Sequence, residues 1–323
     1  MRRYDCYTVR ALNNTITSAS FEYPPSFSSV NVSVDSVFVD LEGIRLHAAI
    51  AGPKDGEVVI LLHGFPEFWM SWRYQIVSLA KHGYRVIALD QRGYNLSDKP
   101  DKITDYLLDK IASDVILLLD QLGIERAHIA GHDFGASVTW LLISRYPQRF
   151  CSAIILNVPH PRILQKKLKT SKQQQRKSWY MFFFQLPFLP EFWLRRQNFR
   201  AAINLLVGSS RSGTFTEADL SAYRLAWSQP GALRAMVNWY RAGIRFGLPR
   251  RTDKEWRVAT PTLIIWGEDD VFLLPEMAQE SLEYCDNGQC LLLPGASHWI
   301  QHEEPERVSS EMILHFQRYS AFS

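Results

Sequence analysis

Three short stretches carry residues whose types and spacing could build a covalent catalyst. "GHDFGA" (131–136) sets Asp133 between Gly131 and Gly135, with apolar residues leading in and out. That spacing marks a sharp strand-to-helix turn whose middle residue is presented as a nucleophile, a role more often taken by serine. "WGEDD" (266–270) offers two acids, Asp269 and Asp270, and "GASHW" (295–299) offers His298. A carboxylate is a poor substitute for serine at an acyl carbon, because the product is an anhydride. It can instead displace a leaving group in line from an sp3 carbon, giving an alkyl-enzyme ester. Hydrolysis of that ester needs an activated water, donors for the tetrahedral oxyanion, and a base whose ring is held by an acid. His298 suits the base, and either Asp269 or Asp270 can hold it. Singly, each residue has a plainer explanation: Asp133 as a helix cap, the acids as loop carboxylates, His298 as a surface histidine. Each follows its own predicted strand, in the order nucleophile, acid, histidine, and together they favour chemistry. His302, in the polar run before the last helix, competes weakly with His298. His63 and His132 read as structural rather than catalytic.

The elements that must position these groups are legible as apolar runs. "SVFVDLEG" and "IRLHAAIAG" predict two strands around a Glu42-Gly43 turn, and "EVVILLHG" a buried third. "YRVIALD", "RAHIAG", "SAIILN", "TPTLIIWG" and "QCLLLPG" add five more. Helical spacing appears in "MSWRYQIVSLAKHG", in "LLDKIASDVILLLDQLG" closing on Gly123, and in "EPERVSSEMILHFQRY". Strand and helix in alternation predict an α/β fold, with a mainly parallel sheet covered by helices on both faces. Reactive groups then belong at the carboxyl ends of the strands. The alternation stops over residues 158–256, which read as an inserted helical lid. The predicted division is an extension (1–33, rich in Ser, Asn and Pro), a core (34–157), the lid (158–256) and the rest of the core (257–323).

Bulk properties narrow the function classes. The chain has 323 residues, 46% hydrophobic and 21% charged, an ordinary globular composition. A net charge of +3 is too small to argue for a nucleic-acid partner. Cys6, Cys151, Cys285 and Cys290 do not form a disulfide framework and favour a reducing, intracellular, cytoplasmic setting. No apolar run approaches the ~18 residues needed to span a bilayer. The basic N-terminus lacks a following apolar stretch, so it does not read as a secretory signal, and the Asn13 and Asn31 sequons read as chance matches.

Over residues 34–320 the chain resembles α/β-hydrolases of the epoxide hydrolase family. The resemblance rests on "HGFPEFWMSWR", "GHDFGA", "NWYR", "WGEDD" and "GASHW" taken together. It implies an α/β-hydrolase fold and, through the pattern W-G-x-x-D, names Asp270 as the acid. Some relatives carry the acid after an earlier strand, where this chain has Asn157. It also implies the backbone N–H groups of Phe65 and Phe134 as oxyanion donors, with a cis Phe65-Pro66 bond orienting the first. Tyr240 in "VNWYRAG" and Tyr180 in "SWYMFFFQLP" match the lid tyrosines that donate to an epoxide oxygen. His63, Pro66, Trp179, Phe183 and Trp299 are expected around the substrate. The aromatic run Trp179, Phe182, Phe183, Phe184, Phe188, Phe192 and Trp193 reads mostly as lid core, with part facing the pocket.

The implied reaction is an epoxide and water giving a vicinal diol through an ester on Asp133, with no cofactor and no metal. The substrate would be small and lipophilic. An alkoxide leaving group needs a proton during attack, and tyrosine, at ~10, can supply it while staying protonated at neutral pH. A dehalogenase is the enzymatic alternative, but Phe134 stands where a halide-binding indole would, and no arginine follows the aspartate. A non-catalytic ligand receptor on the same fold is the alternative of another class. Two further features stand out. "RGYNLSD" has Asn95 where glycine is usual, and asparagine tolerates the left-handed turn. The segment 162–177 holds seven Lys or Arg and no acid, so it can serve as a solvated face or as a peripheral contact with an anionic membrane. Oligomeric state is open.

Overall fold

The computed structural model describes residues 16–18 and 32–320. The rest of the predicted extension, with Cys6 and both sequons, lies outside the described residues. The strands are β1 (Ile16–Ser18), β2 (Val34–Leu41), β3 (Ile44–Ala51), β4 (Val58–Leu62), β5 (Arg85–Asp90), β6 (Ala127–His132), β7 (Phe150–Leu156), β8 (Thr262–Gly267) and β9 (Gly288–Leu293). They form one sheet in the order β1-β2-β3-β5-β4-β6-β7-β8-β9. β1, β2, β3 and β5 pair antiparallel, and β5, β4, β6, β7, β8 and β9 run parallel. All eight strands expected from apolar runs form, which bears out the α/β-hydrolase architecture. β1 is an addition: three residues opposite Val37–Val39 are too few for alternation to register.

Burial follows pattern. β4, β6, β7 and β8 are buried at every position, as a parallel sheet covered on both faces requires. β2 is only partly buried, and its hairpin turns at Glu42-Gly43, where Gly43 takes φ 77°. Helices α1 (Arg73–Lys81), α2 (Leu108–Gln121) and α3 (Phe134–Arg145) follow strands β4, β5 and β6. Six more lie between β7 and β8: α4 (Pro161–Thr170), α5 (Lys172–Lys177), α6 (Trp179–Phe183), α7 (Leu189–Gly208), α8 (Glu217–Ser228) and α9 (Ala232–Phe246). α7 is interrupted by non-helical backbone at 196–199. A capping box between Thr216 and Asp219 starts α8. Helices α10 (Glu276–Ser281), α11 (Ile300–Glu303) and α12 (Pro305–Arg318) complete the chain.

The crossing from β6 into α3 is the tightest point of the fold. A Cβ on Gly131 would lie 2.4 Å from the carbonyl oxygen of Gly135, and one on Gly135 would lie 2.1 Å from that of Leu62 in β4. Both clashes are with backbone, which has nowhere to move inside a sheet packed on both sides. Gly135→Ala should therefore destabilise the protein by roughly 3 kcal/mol, at or beyond the upper end of overpacking costs. Gly243→Ala, inside α9 with open space around it, should instead stabilise by about 0.5–1 kcal/mol. Urea unfolding midpoints of the two variants check both signs.

Candidate active site

Asp133 occupies the turn between β6 and α3 with φ 49° and ψ −120°. This strained geometry lifts its carboxylate clear of the sheet. Gly64 makes room for it, since a Cβ there would lie 2.2 Å from Asp133 Cβ. The backbone N–H of Phe65 donates to Asp133 Oδ1 at 2.8 Å, and the Phe65-Pro66 bond of this loop is cis. The other oxygen, Oδ2, faces His298 Nε2 at 3.6 Å. On the far side of the imidazole, Nδ1 meets Asp270 Oδ2 at 2.7 Å. The ring therefore stands between two carboxylates brought from different loops.

Asp270 is held by more than the histidine. Its Oδ1 accepts from the N–H groups of Phe272 and Leu273, and its Oδ2 from Asn157 Nδ2 at 2.8 Å. Asn157, with φ 50°, also accepts from Gly267 N–H. It braces the acid from the residue that follows β7. Asp269 is exposed and contributes a backbone bond to Ala296, so only Asp270 reaches the ring.

Charge couples these three groups. Burial would lower the His298 pKa, but Asp270 and then Asp133 outweigh it and push it up to about 10. Burial would raise the Asp133 carboxyl, but His298, then His132 and the Phe65 N–H, hold it below the ordinary carboxylate value. At neutral pH the group is an imidazolium between two carboxylates.

Above Asp133 a cavity of about 20 Å³ is lined by Phe65, Tyr180, Leu205, Tyr240, Phe272, His298 and Trp299, room for roughly one water. Asp133 keeps 18% side-chain exposure into it. The rings of Tyr180 (α6) and Tyr240 (α9) meet edge to face at 5.8 Å. Their phenol pKa values are raised by burial first and by the nearby carboxylate of Asp133, and the two hydroxyls interact. Phe134 packs its ring on Tyr240 and Trp239. A second, apolar cavity of about 400 Å³ shares Tyr240 and Phe134 with this region.

The expected pocket residues divide. Trp299 lines the small cavity, whereas His63, Pro66, Trp179 and Phe183 line neither. His63 is fully buried, with its ring bonded to Gly64 O and Gln91 N–H, and burial lowers its pKa. Pro66 is buried with its carbonyl accepting from Trp227 Nε1. Phe183 spends its faces on Trp179, Phe184 and Trp193. The aromatic run is not mainly core: Trp179, Phe182, Phe188, Phe192 and Trp193 are exposed, and Phe184 alone is fully buried. Helix α6 is too short to bury every side, and Tyr180 and, just past its end, Phe184 turn inward. Asn95 takes the left-handed turn at φ 41° and donates to Asp90.

Sequence reasoning missed a buried polar cluster behind His298. Glu67 accepts from His302 at 2.7 Å, His132 at 3.1 Å, Tyr223 at 2.7 Å and Gln301 at 3.1 Å. Burial would raise the Glu67 carboxyl, yet His302 and His132 hold it below its usual range. Arg73 meets His302 at 2.6 Å and Asp219 of α8 at 3.3 Å. His132 reaches the carbonyl of His298 at 2.9 Å, so the cluster fixes the backbone that carries the imidazole. A glutamate inside the otherwise apolar run "FPEFW" was the signal, since a buried carboxylate demands partners.

Residues 57–305 match the family model described as alpha/beta hydrolase fold. The chain is 44% identical over 279 residues to the AB hydrolase superfamily protein YfhM of Bacillus subtilis (strain 168), covering 86% of this chain and 96% of that protein. It is 37% identical over 279 residues to epoxide hydrolase 2 of Caenorhabditis elegans, covering 85% and 78%. Against epoxide hydrolase 4 of Homo sapiens it is 38% identical over 296 residues, covering 89% and 80%. Among solved structures it is similar to Bacillus megaterium epoxide hydrolase in complex with an inhibitor, with a TM-score of 0.79, 32% identity, and coverage of 87% of this chain and 99% of that one.

The two carboxylates make His298 a reporter of its own site. Asp133→Asn keeps the shape and removes one charge, so the His298 pKa should fall from about 10 while Asp270 keeps it from collapsing. Because the wild-type value lies above the ordinary ~6.5, protonation stabilises the fold below that pH, and the contribution fades as pH rises toward 10. NMR titration of the imidazole in the two proteins measures the difference. An unchanged value would refute the charge coupling.

Proposed function

The chain belongs to the α/β-hydrolase fold family as an epoxide-hydrolase-like hydrolase, and we propose that it converts a lipophilic epoxide and water to a vicinal diol through an ester on Asp133. The observation that carries this reading is the pair Tyr180 and Tyr240 lining one small cavity with Asp133. Two phenols beside one carboxylate support the reading, which needs proton donors and a nucleophile in one place.

Asp133 Oδ2 attacks one carbon of the epoxide, and the C–O bond on the opposite side breaks. The departing oxygen takes a proton from a tyrosine hydroxyl. An alkoxide is about as basic as hydroxide, near 15.7 for water, so phenols raised above their ordinary value suit it as acids. Esterification neutralises Asp133, and His298 loses one of the two carboxylates that keep it protonated. Its pKa falls, its Nε2 proton passes to the tyrosinate left by the first step, and the freed Nε2 then takes a proton from water. That water attacks Cγ of the ester. The oxyanion forms on Oδ1, which already accepts from Phe65 N–H, with Phe134 N–H as the second donor. Collapse breaks the Cγ–O bond to the diol, whose oxygen takes the hydroxyl proton of the newly formed Asp133 carboxyl, and the Asp133 carboxylate and His298 imidazolium return to their resting forms. Asp270 orients the imidazole throughout.

The inserted helices act as the lid of this site, and the apolar cavity of about 400 Å³ holds the body of the substrate. Displacement of halide is the weaker alternative. Phe134 carries no ring N–H, and the indole N–H of nearby Trp239 is committed to Arg92 O. The cysteines Cys151, Cys285 and Cys290 are unpaired, in keeping with a reducing compartment, and no described helix is long and apolar enough to cross a membrane.

Two experiments test the reading. Intact-protein mass spectrometry after adding an aryl epoxide should find His298→Gln carrying one substrate mass that it fails to release, while Asp133→Ala carries none and turns over nothing. Separately, Tyr180→Phe and Tyr240→Phe should each slow ester formation by about 10–100-fold, within the general-acid range, and the double variant should nearly abolish it. A double variant that alkylates at the wild-type rate would remove the acid from the mechanism.

A further inference from the structure

Residues 161–200, from α4 into α7, hold ten Lys or Arg and a single acid, Glu191. The chain as a whole carries +3, so this stretch, at +9, faces a remainder at −6. The acid is already neutralised by Arg241 at 2.6 Å. Lys166, Lys169, Lys172, Arg176 and Arg195 are exposed, and none of them forms an ion pair among the described residues. Their charge is uncompensated.

The same stretch breaks the usual rule for apolar side chains. Trp179, Phe182, Phe188, Phe192 and Trp193 are all exposed, Phe188 by 84%, and Leu186 and Leu189 lie between them. Phe183 touches both Trp179 and Trp193, so α6 and the start of α7 present their rings together. Phe188 holds φ 60°, a left-handed conformation that a bulky residue rarely keeps on a surface without cause. Apolar groups this concentrated mark an interaction surface.

We propose that this face of the inserted helices seats on an anionic lipid surface. Lys and Arg supply the attraction to lipid phosphates and carboxylates, and Trp and Phe enter the interfacial layer. Arg162 and Lys167 are met by Asp253 and Glu280, and a second copy joined face to face is a poor occupant because it would press the remaining unpaired cations against their own like. The position of the face also fits a lipid partner. The apolar cavity of about 400 Å³ runs from Phe134 and Tyr240, beside Asp133, to Phe182 and Leu168. Phe182, itself 63% exposed, belongs both to the patch and to the cavity lining. A substrate dissolved in the bilayer would pass into the cavity without crossing water. Helix α5 also ties the surface to the catalytic acid: Lys177 Nζ donates to Asp270 O at 2.8 Å, and Gln174 bonds to Phe272 O and Leu274 N–H.

The test is sedimentation of the full chain with vesicles of phosphatidylcholine alone or with a third of phosphatidylserine. The protein should pellet with the anionic vesicles at low salt, pellet at least 10-fold less with the neutral ones, and be released at high salt. Reversing charge in Lys166→Glu/Lys169→Glu/Lys172→Glu should cut binding to anionic vesicles at least 10-fold. Phe188→Ser/Phe192→Ser should cut it several-fold while leaving the salt dependence in place. Unchanged melting temperatures would exclude misfolding as the cause. Absence of binding to anionic vesicles would overturn the proposal, as would equal binding to neutral ones. Wild-type binding by both variants, or a patch-dependent dimer in sedimentation velocity, would overturn it as well. None of these results depends on the ester mechanism, so the two readings fail separately.

Discussion

One imidazole between two carboxylates sets the terms for everything around it. Burying three ionisable groups is unfavourable unless each charge is met by another or by hydrogen bonds. Here the negative side exceeds the positive by one, and the surplus is carried by backbone and amide donors. Asp270 takes Phe272 N–H, Leu273 N–H and Asn157 Nδ2, and Asp133 takes Phe65 N–H. In the mechanism we propose, the imbalance has a chemical use: a carboxylate that is charged at rest and neutral once esterified would switch the histidine beside it from acid to base.

That arrangement depends on rigid backbone more than on side-chain choice. The turn at Asp133 exists only because Gly131, Gly135 and Gly64 let β6, α3 and the loop after β4 approach to distances that no Cβ permits. The loop after β9 is fixed from behind by His132 and the Glu67 cluster. That cluster is also where the insertion grips the core, through Tyr223 and Asp219 of α8 and Trp227 against Pro66. A movement of α8 would therefore be felt at the backbone of His298, although nothing in α8 touches the reacting atoms.

The inserted helices have two faces with different rules. Toward the core, Tyr180, Phe184 and Tyr240 pack on Phe65 and on one another at ring distances of 4.8–6.0 Å, leaving the hydroxyls at the cavity. Toward the outside lie the exposed rings and unpaired cations. A five-residue helix such as α6 divides its side chains between these faces within little more than one turn, which is why Tyr180 and Trp179, neighbours in sequence, end on opposite sides.

Eight of the nine described strands, the glycine-bracketed turn and the chain order Asp133, Asp270, His298 are legible in the sequence alone. These depend on contacts within a few residues, and apolar runs or small-residue spacing record such contacts directly. Asn95 was legible for the same reason, since its left-handed φ is a local preference. Which side chains look inward is settled by long-range packing. Trp179 and Phe183 were expected around the substrate and line neither cavity, because α4 to α9 are positioned by partners far along the chain. The partnership of Glu67 with His302 spans 235 residues, and no local pattern encodes it. The separation of Asp270 from Asp269 became physical only when the loop donors and Asn157, 113 residues away, closed around one carboxylate. β1 went unread because three paired residues are too short to carry a period. Periodicity reports the environment of an element; the direction of a single side chain is set by whatever the fold later brings against it.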